Sequence, residues 1–458
     1  MRTLYCILTT CICLALSDAK GQLIISGQLR TRSELRAGQG SPSVTDTVPA
    51  IFTSQRTRLN IAYTGYRFRL FTSLQDVRVW GQDASTINRV TTDAFDGFML
   101  HEAWGEISLL DTGSVIKKFT LKFGRQELVY DDVRLLGNLD WLQQARRHDA
   151  AVLKFEHQGY TLHFGAAFNQ NAERKSSTIY NGIPGGYVAG TNGIGAMYKS
   201  MQFLYAAKKI DHATVSFLAF KDDFSKFHFA AADVEKKTPI FETKVWSRFT
   251  VGSHFSATVL KRLSLSGDAF YQGGRYREGT TLHEYLLSFS ALYASTEKLS
   301  VGPGIDITSG NNGSDPSKKY QRFDPLYGTP HKFWGYMDYF YVADGFGANG
   351  LIDVYLKSRY KPRENLMVTM DAHQFSLPHA VIDETGTVLN KRLGIEMDIT
   401  ASYAMTKVIT IEGGYSWMSS TSTMISQKVK NIKDADRFSQ WAYLMISIRP
   451  EVVIGKKG

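Results

Sequence analysis

The chain has 458 residues, 43% hydrophobic and 21% charged, a balance that excludes both a disordered tail and a disulfide-stapled mini-domain. Its formal charge is +10. Beyond the N-terminus no apolar run approaches the roughly 20 residues that a membrane helix needs, which excludes a helical membrane protein.

At the N-terminus, Arg2 precedes an apolar stretch from Leu4 to Leu16, followed by Ser17-Asp18-Ala19, the small-residue pattern that a signal peptidase reads. Residues 1–19 are expected to be a cleaved secretory signal and residues 20–458 a single domain. Cys6, Cys11 and Cys13 all lie inside that signal, so the expected mature chain carries no thiol, which suits an oxidising compartment. The signal contains one Arg and one Asp, so its removal leaves the charge at +10.

From there on, helical periodicity is nearly absent and alternation with period two recurs throughout. Leu59, Ile61 and Tyr63 alternate with Arg58, Asn60 and Ala62, and Leu393, Ile395, Met397 and Ile399 with Gly394, Glu396, Asp398 and Thr400. About 18 such segments are predicted as strands of the length that crosses a membrane when tilted. They start near Leu23, Gln55, Tyr66, Phe98, Lys117, His148, Tyr160, Lys199, Ala213, Val245, Arg262, His283, Lys298, Gly350, Glu364, Leu389, Lys407 and Asp436. Connections after even-numbered strands are short, such as Thr64-Gly65 and Gln158-Gly159. Those after odd-numbered strands are mostly long, such as 37–54, 170–198, 222–244, 309–349 and 420–435. A soluble β-sandwich would also alternate, but it has no reason to segregate its loops by length. The fold class expected is all-β, a transmembrane antiparallel β-barrel of the bacterial outer membrane with long extracellular loops.

A Lys or Arg on the lipid face at the bilayer midplane costs roughly 2–4 kcal/mol, so the charged faces must point into the lumen. This predicts lumenal positions for Arg30, Arg32 and Arg36 on the first strand, Arg56 and Arg58 on the second, and Arg67 and Arg69 on the third. Arg248 on the tenth strand and Lys357 and Arg359 on the fourteenth follow by the same rule, as do the acids Glu34, Asp268, Asp353, Asp371, Glu396, Asp398 and Glu412. The first three strands are neighbours and hold the excess of Arg, so they form one basic wall. Such a wall favours anions and raises their local concentration.

No motif points to catalysis. Gly345-Phe346-Gly347-Ala348-Asn349-Gly350 matches a dinucleotide fingerprint but precedes a strand instead of linking a strand to a helix, so it reads as a turn. His101-Glu102 lacks the second His of a zinc helix. No cofactor, metal or nucleic-acid partner is expected.

Two blocks are richer than a generic porin needs. One runs from Phe123-Gly124-Arg125-Gln126-Glu127 through Trp141 to Arg146-Arg147-His148-Asp149-Ala150. The other runs from Phe323-Asp324-Pro325 to Trp334-Gly335-Tyr336-Met337-Asp338. On these blocks the chain resembles the alginate-export family of outer-membrane porins, whose members look like 18-stranded barrels with an Arg-lined constriction. The resemblance implies Arg125 as a constriction residue with Arg134, Arg147 and Asp149 as neighbours. Two departures stand out. Tyr130-Asp131-Asp132 replaces the usual Tyr-Gly-Asp, and Arg125 is in phase with Phe119, Leu121 and Phe123, so that only a bulge at Gly124 would turn it inward. The expected function is a channel passing anionic solutes, such as an acidic polysaccharide. A general diffusion porin and a structural or adhesion barrel are the alternatives.

Overall fold

The computed structural model describes residues 21–81, 98–111, 114–182, 197–232, 239–311, 321–342 and 346–455. The expected signal, residues 1–19, lies outside them, as does Gly345 of the glycine-rich turn.

The alternating segments become strands: β1 (Gln22–Ala37), β2 (Ala50–Gly65), β3 (Phe68–Val79), β4 (Met99–Ser108), β5 (Lys118–Gln126), β6 (His148–His157), β7 (Tyr160–Phe168), β8 (Ser200–Ile210) and β9 (Ala213–Phe229). The second half contributes β10 (Pro239–Val259), β11 (Leu263–Arg275), β12 (Thr281–Ala294), β13 (Leu299–Thr308), β14 (Leu351–Arg363), β15 (Leu366–Ser376), β16 (Arg392–Ala404), β17 (Ile409–Ser420), β18 (Phe438–Ile448) and β19 (Glu451–Ile454). Each strand from β1 to β18 pairs antiparallel with the next, and β18 returns to β1 in the register Arg30↔Ser447 and Arg36↔Trp441, which closes the sheet. Closure leaves no edge for lipid to meet, the condition for spanning a bilayer with strands.

The short β19 was not expected from the sequence. It continues the line of β18 along β1, pairing Leu23–Ser26 with Glu451–Ile454. The interruption falls at Pro450, which has no N–H to give the ladder; its carbonyl still accepts from Gly27 N–H at 2.9 Å. A second difference is the ninth hairpin. Residues 222–244 were expected as a loop, yet β9 runs to Phe229 and β10 starts at Pro239. The pair Phe227↔Phe241, with Trp246 5.8 Å from Phe227, carries the ladder further before a register shift between Phe241 and Val245.

Parity decides the two faces. Leu29, Leu59, Ile61, Phe164, Leu204, Phe217, Leu287, Phe289, Val354 and Leu356 point outward and are exposed. Arg30, Arg56, Asp222, Arg248, Asp268, Asp306, Asp353, Glu396 and Asp398 point inward and are buried. A β-barrel of this size leaves a lumen too wide for wall side chains alone to fill. Here its loop-side half is filled by residues 127–147 and 321–342, which fold inward. Phe323, Trp334 and Phe340 of the second loop, with Phe346 just ahead of β14, meet Phe375, Met418 and Trp441 of the wall in one apolar core.

Two substitutions test the assignment of faces. Leu356→Arg, on the outer wall at mid-strand, is expected to cost about 2–4 kcal/mol of folding free energy in vesicles. Ser290→Arg, on the inner wall, is expected to leave the urea midpoint within error. The reverse order would invert the faces.

Candidate functional site

The arginines of β1 and β2 do not stand free in the lumen: they hold a loop. Arg30 donates from Nε to Gln143 Oε1 (3.0 Å) and from its Nη atoms to the carbonyls of Asp140 (2.8 Å), Trp141 (3.3 Å) and Leu142 (3.2 Å). Arg32 donates to the Trp141 carbonyl at 2.8 Å and lies over the Trp141 ring at 4.2 Å. The Asp140 carboxylate is 2.8 Å from Arg56, 3.4 Å from Arg30 and 3.6 Å from Arg58. Arg58 also reaches Gln75 (2.6 Å) and His101 (3.0 Å). Backbone carbonyls in the loop therefore act as acceptors for guanidiniums that the wall acids cannot supply.

The same loop reaches the opposite wall. Arg134 is buried among Asp306 of β13 (2.6 Å), Asp268 of β11 (3.2 Å) and its own neighbour Asp132 (3.4 Å), with the Phe333 ring at 3.9 Å. Burial opposes the charge, but Asp306, Asp132 and Asp268 together raise the guanidinium above its ordinary pKa. Residues 127–147 thus bridge the lumen from β1–β2 to β11–β13. Residues 321–342 pair with this bridge edge to edge, through Tyr327 N–H to the Leu135 carbonyl (2.9 Å), Thr329 N–H to Val133 (2.9 Å) and Gly137 N–H to Tyr327 (3.0 Å). They are fixed to the wall by Arg248 to Asp324 (2.9 Å), Tyr327 OH to Asp222 (2.8 Å) and Met337 N–H to Glu396 (2.8 Å). Burial works against ionisation of Asp324, and Arg248 and Arg322 more than offset it, so its carboxyl stays below the usual range.

Beneath the bridge, on the side of the short turns, the inner wall is polar and open. A cavity of about 530 Å³ is lined by Lys209, His212, Thr214, Ser256, Ser290 and Arg359 among others. On the neighbouring wall, Lys122 and Arg69 flank the Trp104 ring at 4.0 and 5.5 Å, and Lys118 lies 3.3 Å from Glu106.

Several expected site residues lie elsewhere. Arg67 is not on a strand: β3 starts at Phe68, and Arg67 takes the positive φ of 63° that the tight turn after β2 demands. It pairs with Asp111 of the next turn at 2.6 Å. Arg125 and Asp149 face outward. No bulge interrupts the register Gly124↔Ala150 and Arg125↔Asp149, so Arg125 keeps the phase of Phe119, Leu121 and Phe123. The two residues form a bidentate pair at 2.8 and 2.9 Å on the outer wall near the long-loop rim. Arg147 sits where the loop re-enters β6, with Nη2 3.6 Å from Met99 Sδ. Arg248 is buried against Asp222 (2.5 Å), and Lys357 faces Asp371 (3.6 Å).

Sequence reasoning missed Asp140, Gln143 and the wall cations Lys118, Lys122, Lys154 and Lys209. The lysines were legible: Lys118 and Lys122 alternate with Phe119, Leu121 and Phe123. Asp140 was not, because its partners are more than 80 residues away. Two groups, His101–Glu102–Glu127 and Asp132–His254–Asp268, bring enough ligand atoms together for a metal ion. A guanidinium already stands in each, Arg58 at 3.9 Å from Glu127 and Arg134 at 3.2 Å from Asp268, so neither suits a cation.

Removing the buried end of the bridge should release it. Arg134→Leu leaves three aspartates facing one another without their cation and is expected to cost about 3–5 kcal/mol. Hydrogen exchange of residues 130–137 reports the effect directly; unchanged protection there would show that Arg134 does not anchor the loop.

Three solved structures resemble the barrel over nearly its full length. OccK9 (OpdG) of Pseudomonas aeruginosa has a TM-score of 0.59 at 13% identity, with 95% of this chain and 99% of that chain covered. OpdO of the same organism gives 0.56 at 12%, covering 94% and 97%. The outer membrane protein opdK from Pseudomonas aeruginosa gives 0.56 at 8%, covering 94% and 99%. At these identities the likeness is one of fold. No curated protein matches the chain. Residues 22–172, which run from the first strand past the seventh, match the family described as Alginate export, and the closed barrel as a whole is similar in fold to these outer-membrane proteins.

Proposed function

We propose that this barrel is a passive channel, not an enzyme, through which anionic solutes such as an acidic polysaccharide cross the outer membrane. The observation that carries the proposal is the run of inward cations along the lumen. Arg30, Arg32, Arg56 and Arg58 stand at the bridge, Arg69 and Lys122 beneath it, and Lys209 and Arg359 at the cavity on the short-turn side. Solute moving along such a track exchanges one cation for the next without meeting bare apolar wall. Each exposed cation contributes about 1 kcal/mol to an anion at contact in water, and more where water is partly excluded. The Ser and Thr hydroxyls around the cavity, Thr214, Ser256, Thr258, Ser264, Ser266 and Ser290, offer a hydroxylated solute donors and acceptors beside the charges.

A general diffusion porin is the second reading, and one observation favours it: many lumenal cations already have carboxylate partners, Arg134, Arg248 and Lys118 among them. Reversal potentials across a planar bilayer separate the two. At salt below about 0.1 M, where the Debye length exceeds about 10 Å, the purified protein is expected to pass anions in preference to cations. Replacing Arg69, Lys122, Lys209 and Arg359 together by Ser should weaken or reverse that preference without unfolding the barrel. A native channel selective for cations, or a variant with unaltered selectivity, would leave the diffusion porin standing.

A further inference from the structure

The segment between Asn138 and Arg146 is closed on itself. Arg146 N–H donates to the Asn138 carbonyl at 2.6 Å across its neck, and inside that neck Leu142 N–H bonds Leu139 (3.1 Å) and Ala145 N–H bonds Leu142 (3.2 Å). Leu139 and Ala145, neither of them glycine, take φ of 51° and 52° at its two ends, a conformation that costs energy unless the surroundings impose it. The tip carries Asp140, whose carboxylate meets three guanidiniums, those of Arg30, Arg56 and Arg58. Exposure is lopsided: the Asp140 side chain is 38% exposed, those of Arg30 and Arg56 only 3% and 1%. Asp140 is the exposed carboxylate in front of guanidiniums that the tab buries with its carbonyls and Gln143.

We infer that residues 139–145 form a tethered tab whose Asp140 occupies the lumen's own anion site, and that a solute carboxylate opens the passage by taking the place of Asp140. The inference rests on the channel reading above and adds how passage is controlled. A carboxylate entering the lumen meets Asp140 at its exposed edge, exchanges with it on Arg56 and Arg30, and frees the tab to swing about its strained ends. The carboxylate count on the arginines is the same before and after, and the carbonyl acceptors of residues 140–143 that leave with the tab are replaced by water and by the other oxygens of the solute. Because the competing carboxylate is tethered, it acts at an effective concentration of about millimolar, and free solute must reach that range to displace it. A polyanion, presenting many carboxylates on one chain, would do so at far lower molarity.

Gln143 Nε2 donates to Ser54 Oγ on β2 at 3.0 Å, so cysteines at these two positions lie within reach of a short bis-methanethiosulfonate cross-linker that locks the tab where it sits and is released by reduction. The three cysteines of the chain, Cys6, Cys11 and Cys13, all precede the barrel and leave the background clean. In a bilayer with glucuronate as the probe, the cross-linked Ser54→Cys/Gln143→Cys variant is expected to pass several-fold less current than the same variant after reduction. In the native protein the current should rise more than in proportion to glucuronate in the millimolar range. Asp140→Asn, which keeps the shape of the tip, should abolish that rise by starting from the higher current. Equal currents from cross-linked and reduced forms would overturn the tab while leaving native anion selectivity intact. A native protein that does not conduct at all would remove the channel reading and the tab with it.

Discussion

The constraint on which the rest of this structure depends is that a guanidinium inside a barrel must find acceptors. Closing 18 strands puts every second side chain into the lumen, and β1 and β2 bury Arg30, Arg32 and Arg56 there, with Arg30 directly opposite Arg56 in the register. Burying such a group unpaired costs several kcal/mol. The wall carboxylate among them, Glu34, is engaged by Arg32 and Arg36 at 2.8 and 2.9 Å. Gln28 of β1 accepts from Arg56 at 2.8 and 3.0 Å, and the other acceptors come from the loop: the Asp140 carboxylate, the Gln143 amide oxygen and a row of carbonyls on residues 140–143. The inward fold of that loop and the burial of those arginines are therefore one event.

The second loop is held by a different force. Where residues 321–342 lie, the inner wall turns from polar to apolar, with Phe375 on β15, Met418 on β17 and Trp441 on β18 all buried. These side chains would have no reason to face water, and burying each against Phe340, Trp334 or Met337 gains roughly 1.5–3 kcal/mol. Trp141 joins the two systems. Its ring stacks on His331 at 4.3 Å and meets Trp441 edge-on at 5.7 Å, while its carbonyl serves Arg32. The lumen thus has two zones, a protein-filled half toward the long loops and an open, polar half toward the short turns.

The strands were legible because the bilayer enforces period two on every segment that crosses it. The phase of Arg125 was legible for the same reason: with no bulge at Gly124 it had to share the face of Phe123. Arg67 was misplaced because a one- or two-residue uncertainty in a turn moves a residue off the strand altogether, although Arg69 kept its lumenal face. Asp140 could not be read at all. Nothing local marks it, and carbonyl acceptors carry no sequence signature, so the pairing of a wall with a loop some 110 residues distant emerges only when the sheet closes. The wall of arginines was legible as a concentration of charge, but not as a concentration already answered from across the lumen.

The two ends of the bridge differ in a way that bears on how the lumen could widen. At Arg134 the cation is enclosed by three carboxylates and an aromatic face with almost no solvent, so separating them means stranding charges in a dry site. At Arg30 and Arg56 the anionic partner is partly wet, and what the guanidiniums lose when Asp140 leaves can be supplied by water or by another anion. The cost of detachment is therefore much lower at β1–β2 than at β11–β13. The end of the bridge that costs less to release is the one against the β1–β2 wall, where the guanidiniums of Arg30 and Arg56 are. The arginines that hold the loop in place at β1–β2 are also the groups that the proposed anion exchange would use, and they stand at the end of the bridge that is less costly to release.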